Sequence, residues 1–217
     1  MNPRIRIHDF VEPAFGENAY VIWTRAQGPC WIVDPGPPPS AAQVLAHIRE
    51  HGLQPEAVLL THGHIDHLAG VPEIQEAFPH VPVCIAKEEA AALTEASENL
   101  SGALGMPFST QVTDSRDLPA PSELVLDGVV WKVLDTSGHS PGGRSFYCAA
   151  AKAVLVGDAL FQLSIGRTDF HHSDGGRLIE NIRRQLFTLP DDTRVFSGHG
   201  PTTTIGEEKR FNPFLQG

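Results

Sequence analysis

The sequence predicts one α/β domain spanning all 217 residues. Short β-branched strands and amphipathic helices are mixed in both halves, with no linker-like shift in composition between them. A 41% hydrophobic fraction is enough for a packed core and excludes a largely disordered chain. No internal repeat is visible.

The elements follow in order. Ile5 to Val11, Ala19 to Thr24 and Trp31 to Asp34 carry β-branched and aromatic residues broken by Gly and Pro, which predicts three strands. Pro35-Gly36-Pro37-Pro38-Pro39 is a rigid turn, and Ser40 is the expected N-cap of a helix through about Glu50. Val44, Leu45 and Ile48 give that helix its apolar stripe. Ala57 to Leu60 reads as a buried strand, followed by a polar loop from Thr61 and a helix from Leu68 to Phe78. Val81 to Ala86 is a strand, Lys87 to Leu100 mostly helix, and Ser101 to Pro121 a loop or flap. Strands are expected at Leu124 to Leu126, Val129 to Leu134, Ser145 to Ala149, Ala153 to Val156 and Val195 to Ser197. Leu178, Ile182 and Leu186 mark a helix from Gly176 to Leu189, and a short helix lies near Glu207 to Phe211.

Sixteen basic against 26 acidic side chains leave a net charge of −10. That balance disfavours nucleic acid, whose binding is driven by Lys and Arg on phosphates. No apolar run approaches the ~20 residues of a membrane span, and Met1-Asn2-Pro3-Arg4 lacks a signal-peptide core. Cys30, Cys84 and Cys148 are odd in number and widely spaced, so they are expected as buried core residues in a reducing cytoplasm.

Eleven histidines against two tyrosines is the unusual feature of the composition. Thr61-His62-Gly63-His64-Ile65-Asp66-His67 places four candidate ligands within six residues, just after a buried strand. Neutral imidazole and carboxylate oxygen are the ligands zinc takes. Gly63 relaxes the backbone between two histidines. The pattern of strand, glycine and candidate ligand recurs at Gly138-His139, Gly157-Asp158 and Gly198-His199. His8, His47, His51 and His80 are scattered and are read as surface or helix residues.

These segments, in this order, resemble the metallo-β-lactamase-fold superfamily. The resemblance implies a four-layer αβ/βα sandwich with one or two divalent metals at one edge. Zinc is expected first, with iron or manganese as alternatives. It assigns His62, His64 and His139 to one metal, Asp66, His67 and His199 to the second, and Asp158 to a bridge. Asp34 matches a position that supports the ligands from behind; a turn-capping role is the alternative.

The implied reaction is hydrolysis by metal-bound hydroxide, with Asp66 as ligand and acceptor of a hydrogen bond from the nucleophile. Gly157 to Phe161, Ser164 to Phe170 and Gly206 to Pro213 resemble short bacterial glyoxalase II-like proteins, which implies a small-molecule thioester substrate of hydroxyacylglutathione type. Only 18 residues follow His199, so the glutathione contacts of the longer enzymes' helical domain do not carry over. Arg167 is a candidate for holding a substrate carboxylate, or an internal partner of Asp169. His171 and His172 are candidates for the substrate entrance, or plain loop residues. A mononuclear-iron persulfide dioxygenase using His62, His139 and Asp158 is the alternative from another reaction class. A lactonase or β-lactamase-like hydrolase is a further one. Oligomeric state is not legible.

Overall fold

Alternation of side chains along the strands sorts the chain into layers. In β2 (Asn18–Trp23), Ala19, Val21 and Trp23 pack to one side while Tyr20 and Ile22 pack to the other. In β3 (Pro29–Val33), Cys30 and Ile32 oppose Trp31 and Val33 in the same way. Strands buried on both faces belong to a sheet covered on both sides. The structure is a computed structural model describing residues 5–216.

β1 (Arg6–Val11), β2, β3, β4 (Gln54–Leu59), β5 (Val83–Ile85) and β6 (Arg116–Asp117) form one sheet, ordered as in the sequence. β1 to β3 are antiparallel, and β3 to β6 are parallel. The second sheet is drawn from β7 (Ser122–Leu126), β8 (Val129–Asp135), β9 (Arg144–Cys148) and β10 (Ala153–Gly157). The small hairpin β11 (Leu160–Phe161) and β12 (Ser164–Ile165) stands apart, and β13 (Arg194–Ser197) and β14 (Thr203–Thr204) complete the set. The second sheet runs β14-β13-β10-β9-β8-β7.

Helices α1 (Ser40–His51), α2 (Ile65–Leu68) and α3 (Val71–Ala77) belong to the first half, and α4 (Gly175–Asn181) and α5 (Ile205–Phe211) to the second. Three apolar layers hold the stack together. Val44, Leu45, Ile48, Val71 and Ile74 pack on the outer face of the first sheet. Trp31, Trp131, Phe146, Leu155 and Phe196 fill the space between the sheets. Leu178, Ile182, Leu186 and Ile205 cover the second sheet. This is the expected αβ/βα sandwich.

Several local expectations are corrected. Ser40 is not the N-cap: Pro39 holds that position, Ser40 is the first helical residue, and its hydroxyl has no partner among the described residues. The proline turn itself feeds the helix, with Ser40 N donating to Pro37 O at 2.9 Å. Helix formation after β4 begins earlier than Leu68. α2 starts at Ile65, so Asp66 and His67 ride on a helical turn rather than a loop. Pro72, in the first turn of α3, lacks the N–H that would join α2 and α3 into one helix.

Lys87–Leu93 is a 3₁₀ turn, and the residues to Leu100 are turns held by Asn99, whose amide donates to Ala92 O and Phe108 O. The presumed flap contains the short parallel strand β6. The helix begun at Gly175 passes into a π turn at Ile182–Leu186, which still buries its apolar stripe. All three cysteines are buried and unpaired, as expected. Among the described residues no helix is long and apolar enough to cross a membrane. Met1 to Arg4, on which the expectation of no signal peptide rests, lie outside the described residues.

Candidate metal centre

β3 and β4 are parallel, as are β10 and β13. β8 and β10 share a direction because each is antiparallel to β9. The segments leaving the carboxyl ends of all five strands therefore meet at one edge of the sandwich, where ligands of α/β sheets bind. β3 is followed by Asp34, β4 by His62 to His67, β8 by His139, β10 by Asp158 and β13 by His199.

The side chains converge in three overlapping groups: His62, His64 and His139; His62, His67 and Asp158; Asp66, His67 and His199. His64 Nδ1 lies 3.1 Å from His62 Nε2 and 3.0 Å from His139 Nε2. Asp158 joins the two ends, with Oδ1 3.3 Å from His67 Nε2 and Oδ2 3.5 Å and 3.6 Å from His139 and His199 Nε2. Asp66 Oδ2 sits 3.2 Å from His199 Nε2. All seven residues expected as ligands are thus brought together.

The surrounding acceptors decide which ring nitrogen faces the centre. His139 Nδ1 donates to Arg167 O at 2.8 Å, and His199 Nδ1 to Phe15 O at 3.2 Å. His67 Nδ1 donates to Asp34 Oδ2 at 3.1 Å. His62 Nδ1 donates to Thr61 Oγ1 at 3.1 Å, and that hydroxyl donates to Asp34 Oδ2 at 2.6 Å. Four rings therefore present Nε2, while His64 presents Nδ1. Fixing tautomer and orientation from behind is what metal-holding histidines require. Asp34 occupies the supporting place expected of it, with φ of 48° and a further bond from Thr61 N at 2.7 Å.

Burial and neighbouring charge set the protonation states. Burial, then the adjacent His67, His64 and His139, holds His62 well below the usual histidine range. Burial and His139 bring His64 down to about 3. Both rings are neutral, as metal ligands must be. Burial would raise Asp158, but His67, His139 and His199 outweigh it and hold the carboxyl below its ordinary value. Burial likewise opposes ionisation of Asp66 and is overcome by His67 and His199. His67 is the converse: burial disfavours its charge, yet Asp158, Asp66 and Asp34 hold its proton well above the ordinary range.

The residues fit divalent cations. His67 Nε2 and Asp158 Oδ1 are buried without a hydrogen-bond partner among the described residues, a state that calls for an ion. The donor set, neutral imidazole with carboxylate, suits zinc, iron or manganese.

Four contributors were not expected. Thr61 relays between His62 and Asp34. Glu89, buried in the 3₁₀ turn, accepts from Gly63 N at 3.2 Å and Gly142 N at 2.8 Å, tying two ligand segments together. Gly63, already singled out between the two histidines, also provides clearance: a Cβ would lie 2.4 Å from Ala92 Cβ and 2.9 Å from Glu89 Oε2. Glu17 is fully buried with neither oxygen partnered among the described residues. Burial drives its carboxyl well up; His67 opposes this, and Asp34, Asp66 and Asp158 add to it. Ser140, next to His139, is buried with an unpartnered hydroxyl. No sequence pattern marks these four positions, since burial and contacts such as Glu89 with Gly142 arise only in the folded chain.

Arg167 turns to Asp169, with bonds of 2.8 Å and 2.7 Å, and is exposed. Its internal pairing is therefore what the structure displays, rather than a guanidinium aimed at the centre. His171 and His172 are exposed but line a cleft beside His64 and His139. His172 Nε2 lies 3.5 Å from Glu98. His8, His47 and His51 stack on one another away from the centre.

Comparison with known proteins agrees with this geometry. The hydroxyacylglutathione hydrolase GloC of Haemophilus influenzae is 36% identical over 203 residues, covering 93% of this chain and 94% of its own. The crystal structure of BLEG-1 B3 metallo-beta-lactamase superposes with a TM-score of 0.91 at 35% identity, over 98% of this chain and 100% of the other. That of TTHA1623 in a di-iron-bound form does so at 0.84 and 35%, over 96% and 100%. The model of the metallo-beta-lactamase superfamily matches residues 13–199. The chain belongs to the metallo-beta-lactamase superfamily and is one of its metallo-hydrolases.

Proposed function

We propose that the chain is a thioester hydrolase of glyoxalase II type, acting on a hydroxyacyl thioester such as a hydroxyacylglutathione. The observation that carries this reading is the complete set of seven converging ligands, supported by full-length similarity to GloC. Two zinc ions are the proposed cofactors. When bound, divalent ions at such a site lower the pKa of water and polarise a carbonyl.

The residues supply the rest. Neutral His62 and His64 leave their lone pairs free, and Asp66, ionised and partly exposed, accepts the hydrogen bond that orients the attacking water. The water oxygen bonds to the acyl carbon, the carbon–sulfur bond breaks, and sulfur leaves with the bonding pair and takes a proton. The second proton of the water passes to solvent, and the products are a carboxylate and a thiol. Neither a serine nor a cysteine nucleophile is needed: burial, with a smaller contribution from Glu56, pushes the Cys30 thiol up to about 12. Buried free cysteines fit a reducing cytoplasm as the place of work.

The test is thiol release from lactoylglutathione and a panel of other thioesters by the zinc-loaded protein, beside elemental analysis. Turnover is expected, with His64→Ala and Asp66→Asn each lowering kcat/KM by about a hundredfold or more. No turnover of any thioester by fully loaded protein refutes the reading. Oxygen uptake with glutathione persulfide by an iron-loaded protein would replace it with the dioxygenase.

A further inference from the structure

His199 is held less firmly by its surroundings than the other ligand rings of known exposure. Its side chain is 25% exposed, against 6% for His139 and none for His67. The main chain around it is clamped from the first sheet. Asn18 N donates to Gly198 O at 2.8 Å, and Asn18 Nδ2 donates to Ser197 O and Gly200 O at 3.0 Å and 2.9 Å. The ring still has its own torsions to fix. Among the described residues, its Nδ1 has one hydrogen-bond partner, Phe15 O at 3.2 Å.

Phe15 belongs to the turn 12–17 that joins β1 to β2. Pro13, Ala14 and Phe15 are exposed, yet Glu12, an acid in the same turn, is buried. Its side chain folds back on the turn, with Oε1 accepting from Ala14 N at 2.8 Å and Oε2 from Phe15 N at 2.6 Å. Its main chain closes the turn. Glu12 N donates to Glu17 O at 2.7 Å, and Glu12 O accepts from Gly16 N at 2.8 Å. The Phe15–Gly16 peptide is therefore gripped at both ends, its N–H on Glu12 O and its C=O under His199 Nδ1. Hydrogen bonds linked through one peptide polarise each other. Gly16, at a φ of 70°, supplies the left-handed residue on which the turn closes.

We propose that Glu12 is a positioning residue for the ion assigned to Asp66, His67 and His199. It shapes the turn so that Phe15 O holds the His199 ring with Nε2 towards Asp66 and Asp158. The proposal rests on the reading of His199 as a metal ligand and adds a residue that touches neither metal nor substrate. The carbonyl itself is main chain, so no side-chain deletion at Phe15 removes it. The side chain that governs its place is that of Glu12. Outer partners of ligating histidines commonly govern metal affinity in this way.

The test is a double-mutant cycle on zinc affinity, read by competition with a chromogenic chelator and needing no turnover. It compares the parental chain, Glu12→Ala, His199→Ala and the double variant. Glu12→Ala is expected to weaken one zinc by about tenfold, and His199→Ala to weaken the same ion further. In the His199→Ala background, Glu12→Ala should change zinc affinity by no more than about twofold, since the ring it acts through is gone. A merely structural role would weaken zinc by the same factor in both backgrounds.

Gly16→Ala provides a second entry to the cycle should Glu12→Ala fail to fold. It keeps every hydrogen-bonding atom and places its Cβ in open space, but strains the backbone of the turn. A smaller loss at the same ion is expected, again absent without His199. Equal losses in both backgrounds, or no loss from either turn variant in the parental chain, overturn the proposal. A His199→Ala variant that binds zinc as the parental chain does refutes the ligand reading itself, and the proposal with it.

Discussion

Asp34 Oδ2 accepts from His67 Nδ1 at 3.1 Å and from Thr61 Oγ1 at 2.6 Å, so one carboxylate oxygen orients His67 directly and His62 through the threonine. Replacing Asp34 by alanine frees both rings to turn. Metal affinity is expected to fall by about 10–100-fold, read by competition with a chromogenic chelator. Thr61→Val tests the relay alone and should affect only the His62 side of the site.

Glu89 holds Gly63 N and Gly142 N, and thereby the His62–His64 and His139 segments. Charge-assisted bonds of this kind contribute about 1.5–3 kcal/mol each. Glu89→Ala should therefore lower Tm by several degrees and raise the metal concentration needed for half-loading. Glu89→Gln, which retains an acceptor, should lose less on both measurements.

Metal loading should release protons at pH 7. His67 is held above its ordinary pKa, by Asp158 and Asp66 against the effect of burial, so the metal-free protein carries its proton. A cation at Nε2 must displace it. Affinity then rises with pH until His67 titrates on its own, and falls as pH is lowered. Calorimetric zinc titrations in two buffers of different ionisation enthalpy should show a net release of about one proton; zero release contradicts the assignment.

His47 is wedged between His8 and His51, with ring centroids 4.7 Å and 4.2 Å away. Burial first, then its neighbours His51 and His8, takes it down to about 4, against an opposing pull from Glu50. The folded state therefore binds fewer protons at this position than the unfolded chain. The associated stability is present above about pH 6.5, the unfolded value, and is lost as pH falls from there towards 4. Thermal melts across that window should fall less steeply for His47→Gln than for the parent protein, both measured metal-free.

The layered architecture was legible because strands buried on both faces leave short apolar, β-branched and aromatic runs bounded by Gly and Pro, as in β2 and β3, and because the helix over the second sheet leaves a spacing of four along Leu178, Ile182 and Leu186. The ligands were legible because metal chemistry restricts residue type, and His62 to His67 are packed into one segment. Glu17, Glu89, Thr61 and Ser140 were not. Glu89 acts on Gly142, 53 positions away, a partner brought close only by the meeting of the two halves, and Thr61, Glu17 and Ser140 are marked by burial and by tertiary neighbours rather than by residue type. Helix starts were misplaced where proline intervened, at Pro39 and Pro72, because the effect of a missing N–H depends on how the chain arrives.

The two sheets are built from consecutive halves of the chain, residues 6–117 and 122–204, with one passage between them. Neither half owns the centre: Asp34 and the His62–His67 segment lie in the first, and His139, Asp158 and His199 in the second. Tyr20 Oη to Ser197 O at 2.6 Å and Arg144 N to Thr61 O at 2.8 Å stitch the seam. A chain severed near Pro121 would yield two fragments that each carry an incomplete chelate and an uncovered apolar face. Their reassociation would be cemented by the cation itself, making the metal a fastener of the architecture as well as an agent of its chemistry.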